Sequence, residues 1–101
     1  MHSFAALADP TRRRILEILS KGSLSSGEIA AGFEVSAPAI SQHLKILRIA
    51  RLVRVRAQAQ RRIYELDRDG VEQASEWLAR IRLFWEPKLE ALQELLQKEP
   101  P

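Results

Sequence analysis

"VSAPAISQHLKIL", residues 35–47, opens with a serine and a proline and then places Ser41, Gln42, His43 and Lys45 among Ile40, Leu44 and Leu47. The Ser36 hydroxyl can accept from a free backbone N–H of a first turn, and Pro38 sits where a missing N–H removes no helical bond. A helix therefore starts at Ser36. Val35 and Ile40 have the spacing of a hydrophobic staple across that start. At about 100° per residue, Ile40, Leu44 and Leu47 share one face, while Ala37, Pro38, Ser41, Gln42, Lys45 and Arg48 fall on the other. One face is core; the other holds small residues, an amide and then cations. A helix surface made only for solubility would more often carry Glu and Lys pairs at helical spacing.

Upstream, "LSSGEIAAGFEVS" gives Ser25 and Glu28 the spacing of a capping box, so a short helix runs from about Ser26 to Ala31, with Ile29 and Ala30 inward and Gly32 in the turn. Two helices joined by a tight glycine-containing turn, the second capped and polar outside, make the pattern of a DNA-binding helix-turn-helix. Downstream of Ala50 the period changes to two. Val53 and Val55 alternate with Arg54 and Arg56, and after "AQAQRR" the run Ile63, Tyr64, Glu65, Leu66 reads as a second strand. A basic hairpin directly after a helix-turn-helix predicts a winged helix, mainly α with a small β-hairpin. The recognition helix spans about 36–50 and the wing about 52–66. Taken alone, the hairpin arginines are also what guards an exposed strand edge against pairing with another chain.

Toward the N-terminus, "FAALADPTRRRILEILSKG" reads as a short helix, a break and a second helix. Asp9 caps that second helix, Pro10 is its first residue, Ile15, Ile18 and Leu19 form its buried stripe, and Gly22 stops it. Arg12, Arg13 and Arg14 point in three directions, which suits a solvated face better than a nucleic-acid patch. The last third, about residues 70–98, is a long amphipathic helix. Val71, Ala74, Leu78, Ile81 and Trp85 follow a 3,4 spacing, which Leu89, Leu92 and Leu96 resume one residue out of step after Pro87. Pro87 should kink or divide it near Phe84. Trp77, Leu83 and Phe84 widen the stripe beyond what one small domain covers, so a second copy is expected to cover it. The alternative is a helix folded back on its own domain.

The 101 residues make one small domain, and 46% hydrophobic with 29% charged is an ordinary globular mix. With no cysteine, disulfides, thiolate ligands and thiol redox chemistry are excluded. No apolar run approaches the roughly 18 residues of a membrane span, and "MHSFAALADP" is unlike a signal peptide, so a cytoplasmic protein is expected. The net charge of +3 is unevenly spread. Residues 1–66 hold 11 Lys and Arg against 5 Asp and Glu, whereas residues 67–101 hold 5 against 8. The N-terminal two thirds thus suit an anionic partner. The chain lacks paired carboxylates at motif spacing, a Gly-rich phosphate loop, and a serine with a nearby base, so an enzyme is not expected.

"LADPTRRRILEIL", "GEIAAGFEVSAPAISQHLKILRIARLVRVR", "RRIYELD" and "FWEPKLEALQELL" together resemble the ArsR/SmtB family of bacterial winged-helix repressors across nearly the whole chain. The core at Ser41, His43, Leu44, Lys45, Leu47 and Arg48 is the most specific mark. The resemblance implies a homodimer joined through the first and last helices, by Phe4, Leu7, Leu78, Ile81, Trp85, Leu89 and Leu92. It also implies a partly palindromic double-stranded DNA operator. Ser36, Ser41 and Gln42 would lie at the major groove, with Gln42 able to pair two bonds with adenine, and Lys45, Arg48, Arg61 and Arg62 would neutralise phosphates. His43 lies nearer the core face than Gln42, so a DNA contact and a boundary histidine satisfied within the protein both fit it.

The chain also departs from its relatives. "EIAAGFEVS" has no metal ligand where many members carry cysteines, and His2 and His43 are the only histidines, so no metal or cofactor is expected. Arg51 stands where a glycine is usual; if left-handed, it costs on the order of 1 kcal/mol. The wing tip "AQAQ" also lacks a glycine, and Ile49 replaces a charge, where it would pack on a thymine methyl or a sugar. Two other roles share the fold: a repressor gated by a small-molecule or protein inducer, with a ligand cleft under Trp77, Phe84 and Trp85, and a module for protein contacts alone.

Overall fold

In the computed structural model, which describes residues 2–98, three helices begin at side chains that replace their missing backbone partners. Asp9 accepts from the Arg12 N–H at 3.0 Å and starts α2, Pro10–Leu19. The Ser25 hydroxyl accepts from the Glu28 N–H at 3.2 Å while the Glu28 carboxylate accepts from the Ser25 N–H at 2.9 Å, a complete capping box that starts α3, Ser26–Ala31. Ser36 accepts from the Ala39 N–H at 3.3 Å and starts α4, Ala37–Ile49. The hydrophobic staple is weak: Ile40 is buried but Val35 stays 44% exposed.

Ahead of these lies α1, His2–Leu7, whose last carbonyls have no partners in their own helix. Arg12 donates from Nε to the Ala6 carbonyl at 2.7 Å and from Nη2 to that of Ala5 at 3.2 Å, and Arg13 donates to that of Leu7 at 2.9 Å. Of the three arginines, only Arg14, paired with Glu17 at 3.3 Å, matches the expected solvated face. The other two fasten α1 to α2.

The wing consists of β2, Val53–Gln58, and β3, Arg61–Leu66, antiparallel from Val53↔Leu66 to Gln58↔Arg61 around a two-residue turn. A third strand, β1, Leu24–Ser25, pairs antiparallel with β3 on its other side, giving the order β1-β3-β2. Two residues are too few to leave a periodicity in the sequence. Arg51 and Ala59 both have positive φ, 62° and 56°, at the two positions where the sequence lacks a glycine. At Arg51 the strained turn is held by packing. A Cβ added at Gly70 would overlap the Arg51 carbonyl oxygen, so the two backbones meet where only glycine fits.

The core gathers Ile15, Ile29, Ile40, Leu44, Leu47, Leu52 and Val53, all fully buried, from α2, α3, α4 and β2. The last helix, α5, Arg68–Lys98, joins this core through Ala74, with Val71 packed beside it. It continues through Pro87 and is not divided there. A proline removes one i→i−4 bond, here the one to Leu83, and the turns on either side keep theirs. At 1.5 Å per residue its 31 residues reach about 46 Å, and the chain measures 64 × 29 × 22 Å. Its Cα radius of gyration is 18.1 Å, against about 13 Å for a compact chain of this length.

Candidate nucleic-acid interface

Helical geometry divides the surface of α4 into three strips. With Ile40 facing the core, Ser41, Lys45 and Arg48 lie toward the wing, Gln42 and Ile49 lie near the outward pole, and His43 lies on the opposite flank. Ser41, Gln42, Lys45 and Arg48 are all exposed. On β3, Arg62 and Tyr64 are two residues apart and share a face of the strand. Together, Ser26, Ser41, Lys45, Arg48, Arg62 and Tyr64 line a hollow of about 240 Å³ between α3, α4 and β3. Four of the eight residues expected to meet DNA, Ser41, Lys45, Arg48 and Arg62, are thus brought into one place, with Gln42 beside them.

The other three have partners within the protein. Ser36 is the cap of α4. Arg61 donates to Glu28 Oε1 at 2.9 Å, the same oxygen that accepts from the Ser25 N–H, and so pins the wing to the cap of α3. That N–H, the Ser25 hydroxyl and the Arg61 guanidinium hold the Glu28 carboxyl below the ordinary carboxylate range. His43 has Nδ1 3.8 Å from Asp9 Oδ2 and 3.4 Å from Arg12 Nη1, so it joins α4 to the capped start of α2. The Arg12 N–H and the nearby His43 lower the Asp9 carboxyl in turn. Elsewhere on the wing, Arg54 pairs with Glu65 at 2.9 Å and Arg56 bonds Gln58 at 3.1 Å. Ile49, 57% exposed, lines a separate hollow with Ser3, Arg51, Gly70 and Gln73 near the start of α5.

Ser26 and Tyr64 were not singled out in the sequence. Tyr64 could have been, because strand alternation places it on the Arg62 face; Ser26 reads only as the first residue of a capped helix.

The residues expected to join two copies are arranged differently. Phe4 lies on Trp77 of the same chain, with ring centroids 4.3 Å apart. Leu7 and Leu78 line an apolar hollow of about 220 Å³ with Leu16, Leu52, Leu66 and Val71. Ile81 is half-buried, and Trp85, Leu89 and Leu92 are 49–60% exposed. Among the described residues, no group of three or more His, Cys, Asp or Glu is placed to hold a metal ion, and no helix is long and apolar enough to cross a membrane.

A capped helix with an exposed cationic strip, preceded by a short helix and a tight turn and followed by a basic hairpin, is a winged helix-turn-helix of the kind used by DNA-binding transcriptional regulators. Comparison with known proteins agrees. The family described as "Bacterial regulatory protein, arsR family" matches residues 9–55, from the cap of α2 into β2. The HTH-type transcriptional regulator Rv2034 of Mycobacterium tuberculosis is 44% identical over 97 residues, covering 96% of this chain and 88% of that protein. The transcriptional repressor SdpR of Bacillus subtilis is 37% identical over 75 residues, covering 74% of this chain and 83% of that one. Among solved structures, a "possible transcriptional regulator for arsenical resistance" superimposes with a TM-score of 0.76 at 34% identity, covering 100% of this chain and 99% of the other. The chain belongs to the arsR family of bacterial regulatory proteins.

Proposed function

We propose that the chain works as one winged helix-turn-helix domain in a cytoplasmic homodimer that represses transcription, including that of its own operon, by binding a partly palindromic operator without metal. Its role is recognition, not catalysis. The observation that carries this reading is the meeting of Lys45, Arg48 and Arg62 around one hollow beside Gln42, none of the three in an ion pair among the described residues. Phosphate contacts supply affinity and register, and an amide on the exposed pole of α4 supplies base discrimination. The donor set supports independence from metal, since the chain has no cysteine and His43 is engaged by Asp9 and Arg12. The exposed face of α5 supports the dimer, and two recognition helices would then sit about 34 Å apart, one turn of B-DNA.

The test is a fluorescence-anisotropy titration against the DNA upstream of the chain's own reading frame and a scrambled duplex, at two salt concentrations with a chelator present. Preference for the upstream duplex, weakened by salt, is expected. Gln42→Ala should relax that preference, while Arg62→Ala should weaken binding to both duplexes and flatten the salt slope by roughly one unit per subunit. Weak binding that is equal for both duplexes and insensitive to salt would overturn the reading in favour of a protein-contact module.

A further inference from the structure

We infer that the hollow between α3, α4 and β3 is a seat for a single phosphodiester of the DNA backbone, an assignment that rests on the DNA-binding reading above. Its walls are three cations, Lys45, Arg48 and Arg62, and three hydroxyl-bearing residues, Ser26, Ser41 and Tyr64, with no carboxylate among them. A net charge of about three units in one hollow repels itself unless an anion enters.

Two further observations distinguish this hollow from a merely basic surface. The first is how the neighbouring cations are used. Arg12 and Arg13 hold the end of α1, Arg54 holds Glu65, Arg56 holds Gln58 and Arg61 holds Glu28. Lys45, Arg48 and Arg62 hold no such partner among the described residues, although Glu28 lies on the same small helix as Ser26. The second is Tyr64. Only 8% of this residue is exposed, it lines the hollow, and its hydroxyl makes no hydrogen bond with a described residue. No buried side-chain nitrogen or oxygen among the described residues lacks a partner, so this hydroxyl is open to solvent on a residue that lines the hollow. The hydroxyls of Ser26 and Ser41 are likewise without a bond among the described residues. Three hydroxyl-bearing residues therefore line a space that no carboxylate lines.

The volume fits the assignment. At about 30 Å³ per water, 240 Å³ accommodates a phosphate group together with several waters. The position favours a diester over a free anion, because Lys45 belongs both to the hollow and to the exposed strip that continues to Gln42. An occupied seat also has a mechanical effect. Because α4 and β3 both line the hollow, one phosphate would fix the wing against the recognition helix, and Tyr64 acts as a positioning residue for the diester.

The test uses the full-length protein and a duplex recovered with it by in vitro selection, in which each phosphate of one half-site is replaced in turn by a neutral methylphosphonate. One position per half-site should weaken wild-type binding by about tenfold. At that position alone, the penalty should shrink in Arg62→Ala and also in Tyr64→Phe, a change that keeps the ring and so spares the fold. If both variants keep the wild-type penalty at every position while binding DNA, the seat is wrong and the DNA-binding reading stands. If the wild type recovers no duplex, both fall. Inorganic phosphate is titrated at constant ionic strength as the other arm. Saturable competition that disappears in Arg62→Ala would assign the hollow to a free anion and overturn the diester.

Discussion

Around α4, the apolar residues Ile40, Leu44 and Leu47 are fully buried while Lys45, Arg48 and Arg62 form no ion pair among the described residues. Along the far half of α5 the balance is reversed. Leu83, Phe84, Trp85, Leu89, Leu92, Leu95 and Leu96 are 49–74% exposed, while Lys88 lies over the Phe84 ring at 4.0 Å and Arg82 pairs with Glu86 at 3.9 Å. Each region lacks a partner of its own chemistry: an anion for the first and an apolar surface for the second. Unpaired surface cations cost little stability, because exposed ion pairs are themselves worth only about 0–1 kcal/mol. An apolar stripe of this length is a larger liability in water. Assembly should therefore depend on α5 far more than folding depends on the cations.

The largest effect tests that separation directly. Leu78 is 46% exposed on the α5 stripe, so Leu78→Glu removes little from the core. Sedimentation should show a monomer, and operator affinity should fall by about 10²–10⁴, because the two half-sites are no longer linked. A dimer that survives this change would move the interface off α5 and remove the contrast between the two regions.

A smaller effect examines where the regions join. Gly70, in the first turn of α5, lies against the Arg51 carbonyl just beyond α4, and Asp67 N–H donates to the Leu52 carbonyl at 2.9 Å beside it. Gly70→Ala must displace backbone, and overpacking of this kind costs about 1–3 kcal/mol. Urea unfolding should show that loss while sedimentation still shows a dimer. An unchanged midpoint would mean that α5 shifts freely relative to α4, and that the two regions are mechanically separate.

Much of this arrangement was legible in the sequence, and its limits have physical causes. The caps Asp9, Ser25 and Ser36, the inward residues of α4 and the two wing strands follow from local rules of spacing and hydrogen bonding. Ser41, Lys45, Arg48 and Arg62 line one hollow because a helix face and a strand face are regular. Arg61 and Arg62 could not be told apart, since adjacent strand residues diverge and only the position of Glu28 decides which one is bound. Arg12 and Arg13 escaped for the same reason, since their partners lie at the end of α1, whereas for His43 the sequence left a DNA contact and a satisfied boundary position open and the structure sets it beside Asp9 and Arg12. The strand β1 was too short to register, and Pro87 was given too much weight because one lost bond does not end a helix of 31 residues.

The smallest predicted effect concerns the pinned cation. Glu28 both completes the cap of α3 and holds Arg61, and these contacts lower its folded pKa below the ordinary 4.5. As pH falls, the unfolded chain takes up this proton first. The stabilisation is therefore fully present above 4.5 and is lost as pH drops through the lower folded value. Urea midpoints measured from roughly pH 6 to pH 3 should decline in the wild type and decline less in Glu28→Gln, which has no proton to gain there. A residual slope is expected in that variant from Asp9, whose carboxyl is lowered in the same direction. Parallel curves for the two proteins would show that Glu28 contributes through its shape alone. Arg61 would then be no more committed to the protein than Arg62, and the division of the wing into pinned and DNA-directed cations would fail.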